Sequence, residues 1–154
     1  MDLTDKKFLS LAVKQAKLSV EKGGFPAGAV LVKEGKVIAK GISVGFLLHD
    51  PTAHAETASI RQACKKLQTT DLTGVTLYAS LQPCLLCYST SNWANLDRIV
   101  YGCQKTDDMV AKHYYEGNND LEKINLANTH QISLEFYPDF ESQMLELVRL
   151  WETK

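Results

Sequence analysis

Phe8, Leu11, Ala12, Ala16 and Leu18 recur at helical spacing behind Thr4, a residue suited to an N-cap, and predict a helix over about residues 5–22 that Gly23 and Gly24 end. Two β-rich runs follow, 27–32 and 36–40, and Lys33-Glu34-Gly35 between them reads as a hairpin turn. Asp50-Pro51 has the form of an N-cap followed by proline at the first helical position, which opens a helix to about Leu67. Residues 75–80 are the next strand candidate, Pro83 suits the first turn of a helix to about Asn95, and 98–102 is a short strand. The polar stretch 103–128 lacks a clear period and reads as a long functional loop with some helical turns. A last strand over 132–136 and an amphipathic helix over 140–151 close the chain. Helix, hairpin, then strands alternating with helices predicts a three-layer α/β domain on a mixed sheet.

Composition narrows this to one domain. At 154 residues and 45% hydrophobic content the chain can bury one substantial core and has no linker, repeat or low-complexity tract. The first ten residues are polar, and no run of about 18 apolar residues occurs, so a soluble cytoplasmic protein with no membrane partner is expected. The net charge of −1 supplies no global field for a polyanion. Glu135, Asp139, Glu141, Glu146 and Glu152 against Arg149 and Lys154 make the closing stretch acidic, which argues against a surface that lies on phosphates.

The chemistry concentrates in two short stretches, His54-Ala55-Glu56 and Pro83-Cys84-Leu85-Leu86-Cys87. His54, Cys84 and Cys87 supply three zinc ligands and leave one coordination position open, as in a catalytic zinc site rather than a closed four-ligand one. On the predicted helices both groups fall near helix starts, whose free N–H groups favour thiolate over thiol. Cys84 and Cys87 at i, i+3 share a face. His54 and Glu56 lie about 200° apart around a helix axis, so they converge only if the metal sits off the helix end. Glu56 then reaches a water or the substrate as general base and acid. The competing readings are a closed structural zinc, its fourth ligand drawn from His49, His113, His130 or a loop carboxylate, and a redox dithiol. Neither uses Glu56. The three other histidines read as surface or structural residues, and Cys64 and Cys103 as buried thiols.

Gly28-Ala29-Val30-Leu31-Val32, Asp50-Pro51-Thr52-Ala53-His54-Ala55-Glu56, Pro83-Cys84-Leu85-Leu86-Cys87 and Arg98-Ile99-Val100-Tyr101-Gly102 together resemble the cytidine deaminase-like superfamily, close to guanine deaminases and tRNA adenosine deaminases. The resemblance covers most of residues 5–110. It implies a three-layer α/β/α fold on a mixed five-stranded sheet, zinc on His54, Cys84 and Cys87, Glu56 as proton shuttle, and a substrate contact from the backbone N–H of Ala55. The implied reaction is hydrolytic loss of ammonia from an amino-substituted ring, and the implied assembly is a homodimer. Three departures remake the pocket wall: Ser43 stands where an asparagine is usual, Gln82 where glutamate is frequent, and Tyr88 to Trp93 replace small apolar residues. A hydroxyl has shorter reach and fewer bonds than an amide.

Charge and Ser43 together favour a free nucleobase or small nucleoside-like heterocycle, guanine or cytosine in type, over nucleic acid as partner. A tRNA adenosine deaminase forming inosine is the alternative, and a zinc-stabilised scaffold without activity the third reading. Phe25 or Trp93 is a candidate to stack on the ring, although either is by default a packing residue. Trp151 is either a lid on the pocket or the packing residue of the last helix.

Overall fold

The computed structural model describes residues 3–154. Helix α1 (Leu3–Glu21) leads into strands β1 (Phe25–Lys33) and β2 (Lys36–Ser43). Helix α2 (Ala55–Leu67), strand β3 (Val75–Ala79), helix α3 (Leu85–Trp93) and strand β4 (Arg98–Tyr101) follow. Helices α4 (Asp107–Ala111) and α5 (Leu121–Ala127), strand β5 (Ser133–Phe136), a 3₁₀ turn (Pro138–Phe140) and α6 (Glu141–Glu152) complete the chain. The five strands form one mixed sheet in the order β2-β1-β3-β4-β5. The β1–β2 and β1–β3 pairs are antiparallel, and β3–β4 and β4–β5 are parallel.

Strand alternation sorts the apolar side chains onto two faces. Val30, Val32, Tyr78 and Val100 pack with Phe8, Leu9 and Ala12 of α1. Ala29, Leu31, Leu77 and Ile99 meet Ile60 and Ala63 of α2 and Cys87 and Tyr88 of α3. Two glycines let backbones touch. A Cβ on Gly28 would lie 2.2 Å from the Ala16 nitrogen of α1, and one on Gly41 would lie 1.9 Å from the Ala55 carbonyl oxygen. The first turn of α2 is thereby seated directly on β2.

Several expectations shift. Thr4 lies inside α1 rather than capping it. Neither proline opens a helix: Asp50 turns its carboxylate onto the N–H and hydroxyl of Thr52, at 2.9 and 2.6 Å, so the chain makes a tight turn at Pro51 and α2 begins only at Ala55. Helix α3 likewise begins at Leu85, after Pro83 and Cys84. The stretch 103–128 carries two capped helices, with Thr106 accepting from the Met109 N–H and Asp120 from the Lys123 N–H. Cys103 is buried, whereas Cys64 is partly exposed.

A partly buried ion cluster ties the chain's first helix to its sheet. Arg98 on β4 forks both nitrogens onto Asp5, at 2.7 Å each, and also bonds Glu135 on β5, while the Tyr78 hydroxyl donates to Asp5 at 2.6 Å. The Arg98 bonds hold the Asp5 and Glu135 carboxyls below their usual range. A carboxyl depressed on folding contributes stability above its unfolded pKa and loses it as pH falls through the folded one. The cluster is therefore at full strength at neutral pH and fades below about pH 4. Asp5→Asn should cost about 1.5–3 kcal/mol at pH 7 and much less in acid, as urea unfolding at the two pH values would show.

Candidate active site

Strand β3 ends, β1 begins and β2 ends at the same edge of the sheet, and a cavity of about 580 Å³ opens there. His54 and Cys84 stand at the N-cap positions of α2 and α3, both with extended backbone, and Cys87 lies in the first turn of α3. The His54 backbone N–H donates to the Thr57 hydroxyl at 2.9 Å, which closes the first turn of α2 without using the imidazole. Nδ1 of His54 is left 3.4 Å from Sγ of Cys84 and 3.5 Å from Sγ of Cys87.

These three ligand atoms lie within 4.8 Å of one another. A tetrahedral zinc with metal–nitrogen and metal–sulfur bonds of about 2.0–2.3 Å needs N···S edges of about 3.5 Å, so the donor set fits that ion in both chemistry and span. The sulfurs share a proton unevenly: the Cys87 thiol holds Cys84 down to about 6, while the Cys84 sulfur pushes Cys87 up. A bound cation releases both protons. Cys84 is the N-cap of α3 and so precedes the helix, with its sulfur within reach of both His54 and Cys87.

Glu56, one residue into α2, is buried at 7% exposure and lines the cavity beside the three ligands. Burial, then the nearby Cys84 charge, raises its carboxyl to about 7. A carboxyl so placed can carry a proton either way near neutrality. His54 stands on the cap of α2 and Glu56 in its first turn, so the two side chains approach each other at the helix end.

The substrate contacts expected from the sequence divide. Phe25 and Ser43 line the cavity. Ser43's main chain is pinned to the Ser19 hydroxyl, its N–H donating at 3.0 Å and its carbonyl accepting at 3.2 Å. Ala55 is buried against Gly41 and is not among the lining residues. Trp93 is 84% exposed and does not line the cavity. Trp151 backs the wall instead of lining it, meeting Phe25 at 5.1 Å and Tyr114 at 5.6 Å, edge to face.

Part of the wall comes from residues given no site role in the sequence. His49 and His113, read there as surface or structural, both line the cavity and both hold left-handed backbone, at φ 54° and 61°. His130 is structural, its Nε2 2.8 Å from the Leu96 carbonyl. Tyr115 donates its hydroxyl to the Gln82 carbonyl at 2.7 Å, and the Gln82 side chain accepts the Lys105 N–H at 3.0 Å, so Gln82 holds the wall to the loop between β3 and α3. The run His113-Tyr114-Tyr115-Glu116, aromatic and charged within a polar stretch, was the available signal.

Comparison with known proteins agrees with this geometry. The cytidine and deoxycytidylate deaminase zinc-binding region matches residues 3–103. The chain is 35% identical over 139 residues to a tRNA-specific adenosine deaminase of Aquifex aeolicus, covering 90% of this chain and 88% of that one. It is 43% identical over 101 residues to a guanine deaminase of Bacillus subtilis, covering 65% of each. A solved guanine deaminase from Nitrosomonas europaea superposes with a TM-score of 0.83 over 96% of this chain and 84% of that one, and at 20% identity it attests the fold. With its His-Cys-Cys group set to take a metal and a helix-flanked mixed sheet of the same architecture, the chain belongs to the cytidine and deoxycytidylate deaminase family.

Proposed function

We propose that this protein removes the exocyclic amine of a purine hydrolytically, and that its substrate is an adenosine within tRNA, which becomes inosine. The observation that carries the reaction is the buried Glu56 carboxylate lining the cavity with His54 and Cys84, whose donor group the buried Cys87 completes. Bound there, zinc supplies Lewis acidity toward water. Glu56 takes the proton of the attacking water, returns it to the ring nitrogen, and then delivers the second to the departing amine. The water oxygen bonds to the ring carbon, the C–N bond breaks, ammonia leaves, and the ring keeps a carbonyl. Phe25 offers an aromatic face at the cavity wall for the base.

For the substrate, the weight shifts from the free base that charge favoured. The tRNA-specific relative matches along nearly the whole chain, which supports the RNA reading. The acidic closing stretch is also less repulsive than its composition: Glu135 pairs with Arg98, Asp139 with Lys6, Glu146 with Arg149 and Glu152 with Lys112. Each of these four carboxylates has a cation within 3.4 Å, although Arg98 and Lys112 each also serve a second acid. A free guanine-type base is the second reading, supported by the guanine deaminase relative and by the Phe25, Tyr114 and Trp151 cluster that closes one side of the cavity. Inosine formation in an anticodon stem-loop should exceed ammonia release from guanine or cytosine at equal enzyme concentration. Ammonia from guanine with no inosine in the stem-loop would move the free base to first place.

A further inference from the structure

Cys84 occupies the cap position of α3 without capping it. A serine, threonine or aspartate there would turn an oxygen onto the free N–H groups of the first turn. Cys84 makes no such bond, and its sulfur lies 3.4 Å from Nδ1 of His54. The two N–H groups are satisfied from a distant part of the chain instead. Leu85 donates to one carboxylate oxygen of Glu116 at 3.1 Å and Leu86 to the other at 2.9 Å.

Glu116 directly follows Tyr114 and Tyr115, which line the cavity. One carboxylate thus joins the cavity wall to the turn that sets the spacing of Cys84 and Cys87. We propose that Glu116 is a positioning residue for the metal centre: its carboxylate caps the first turn of α3 between Cys84 and Cys87 and ties the wall segment to the same helix. The proposal rests on the metal-holding role of His54, Cys84 and Cys87 and is independent of which substrate is used.

Capping and charge predict opposite signs. As a nearby anion, Glu116 disfavours the Cys84 thiolate, so its removal would tighten metal binding if charge dominated. If capping dominates, its removal loosens the turn and the metal leaves faster. Zinc-loaded wild type, Glu116→Ala and Glu116→Gln would be compared by the rate of zinc transfer to a chromogenic chelator. The absorption of the cobalt-substituted forms would be recorded alongside. We expect release about tenfold faster in Glu116→Ala, within the range usual for groups that hold metal ligands in place. Glu116→Gln, which keeps one acceptor oxygen, should show a smaller rise, and both variants should shift the cobalt bands. Glu122→Ala, an acid in the first turn of α5, should release zinc at the wild-type rate. Should Glu116→Ala fail to fold, Glu116→Gln decides alone by the sign of its change. Release at or below the wild-type rate with an unmoved cobalt spectrum overturns the proposal. A wild-type protein that takes up neither metal overturns it together with the metal assignment, while loss of deaminase activity with normal metal uptake bears on the substrate reading alone.

Discussion

Glu56→Ala is expected to keep its metal and its fold while losing turnover by a factor of at least about 10². Glu56 stands outside the His54, Cys84 and Cys87 donor set, so its removal leaves the metal's ligands in place. It is also buried, and a buried carboxyl that must ionise is no asset to folding, so alanine should not destabilise the chain. What disappears is the group that moves protons between water, ring and amine. Metal content by mass spectrometry, a melting curve and kcat for the same preparation test this together. Near-wild-type kcat in a metal-replete variant would remove Glu56 from the reaction.

Metal removal should have the larger effect. Chelation is expected to lower turnover by at least about 10³-fold, with zinc restoring it in the wild type but not in Cys87→Ala. Cys87 is wholly buried in the first turn of α3, and no other cysteine sulfur, histidine or carboxylate joins its donor group among the described residues. His54 and Cys84 alone leave the ion with two protein ligands, too few for the three-ligand site of a catalytic zinc. Activity in metal-free protein, or full zinc rescue of Cys87→Ala, would contradict the assignment.

The candidate site could be read directly from the chain because each half is local: His54 and Glu56 lie two residues apart, Cys84 and Cys87 three, and each pair sits at the start of one helix. The hairpin and most strands were legible for the same reason, since alternation and turn chemistry act over a few residues. What the chain concealed depends on distant partners. Both helices start later than their prolines suggest, because Asp50 spends its carboxylate on Thr52 and because the true caps are a histidine and a cysteine rather than ordinary capping residues. The wall at 113–116 is positioned by Gln82, the start of α3 and Glu152, contacts that no local pattern in a polar segment encodes. Apolar character alone could not tell that Trp93 faces solvent while Trp151 supports the cavity. Nor could a count of acids reveal that most of those in the closing stretch are paired.

The chain's two tryptophans therefore occupy contrasting optical environments. Trp93 is bathed in solvent, whereas Trp151 is half-buried, in edge contact with a cavity-lining phenylalanine and with a tyrosine that donates its hydroxyl to Glu152. Phe25 and Tyr114 each touch both the cavity and the Trp151 ring, so a base entering the cavity alters the surroundings of the indole without contacting it. With Trp93→Phe to strip the solvent-exposed background, the emission of Trp151 becomes an unlabelled optical signal of occupancy, usable with a non-reactive base and without any turnover.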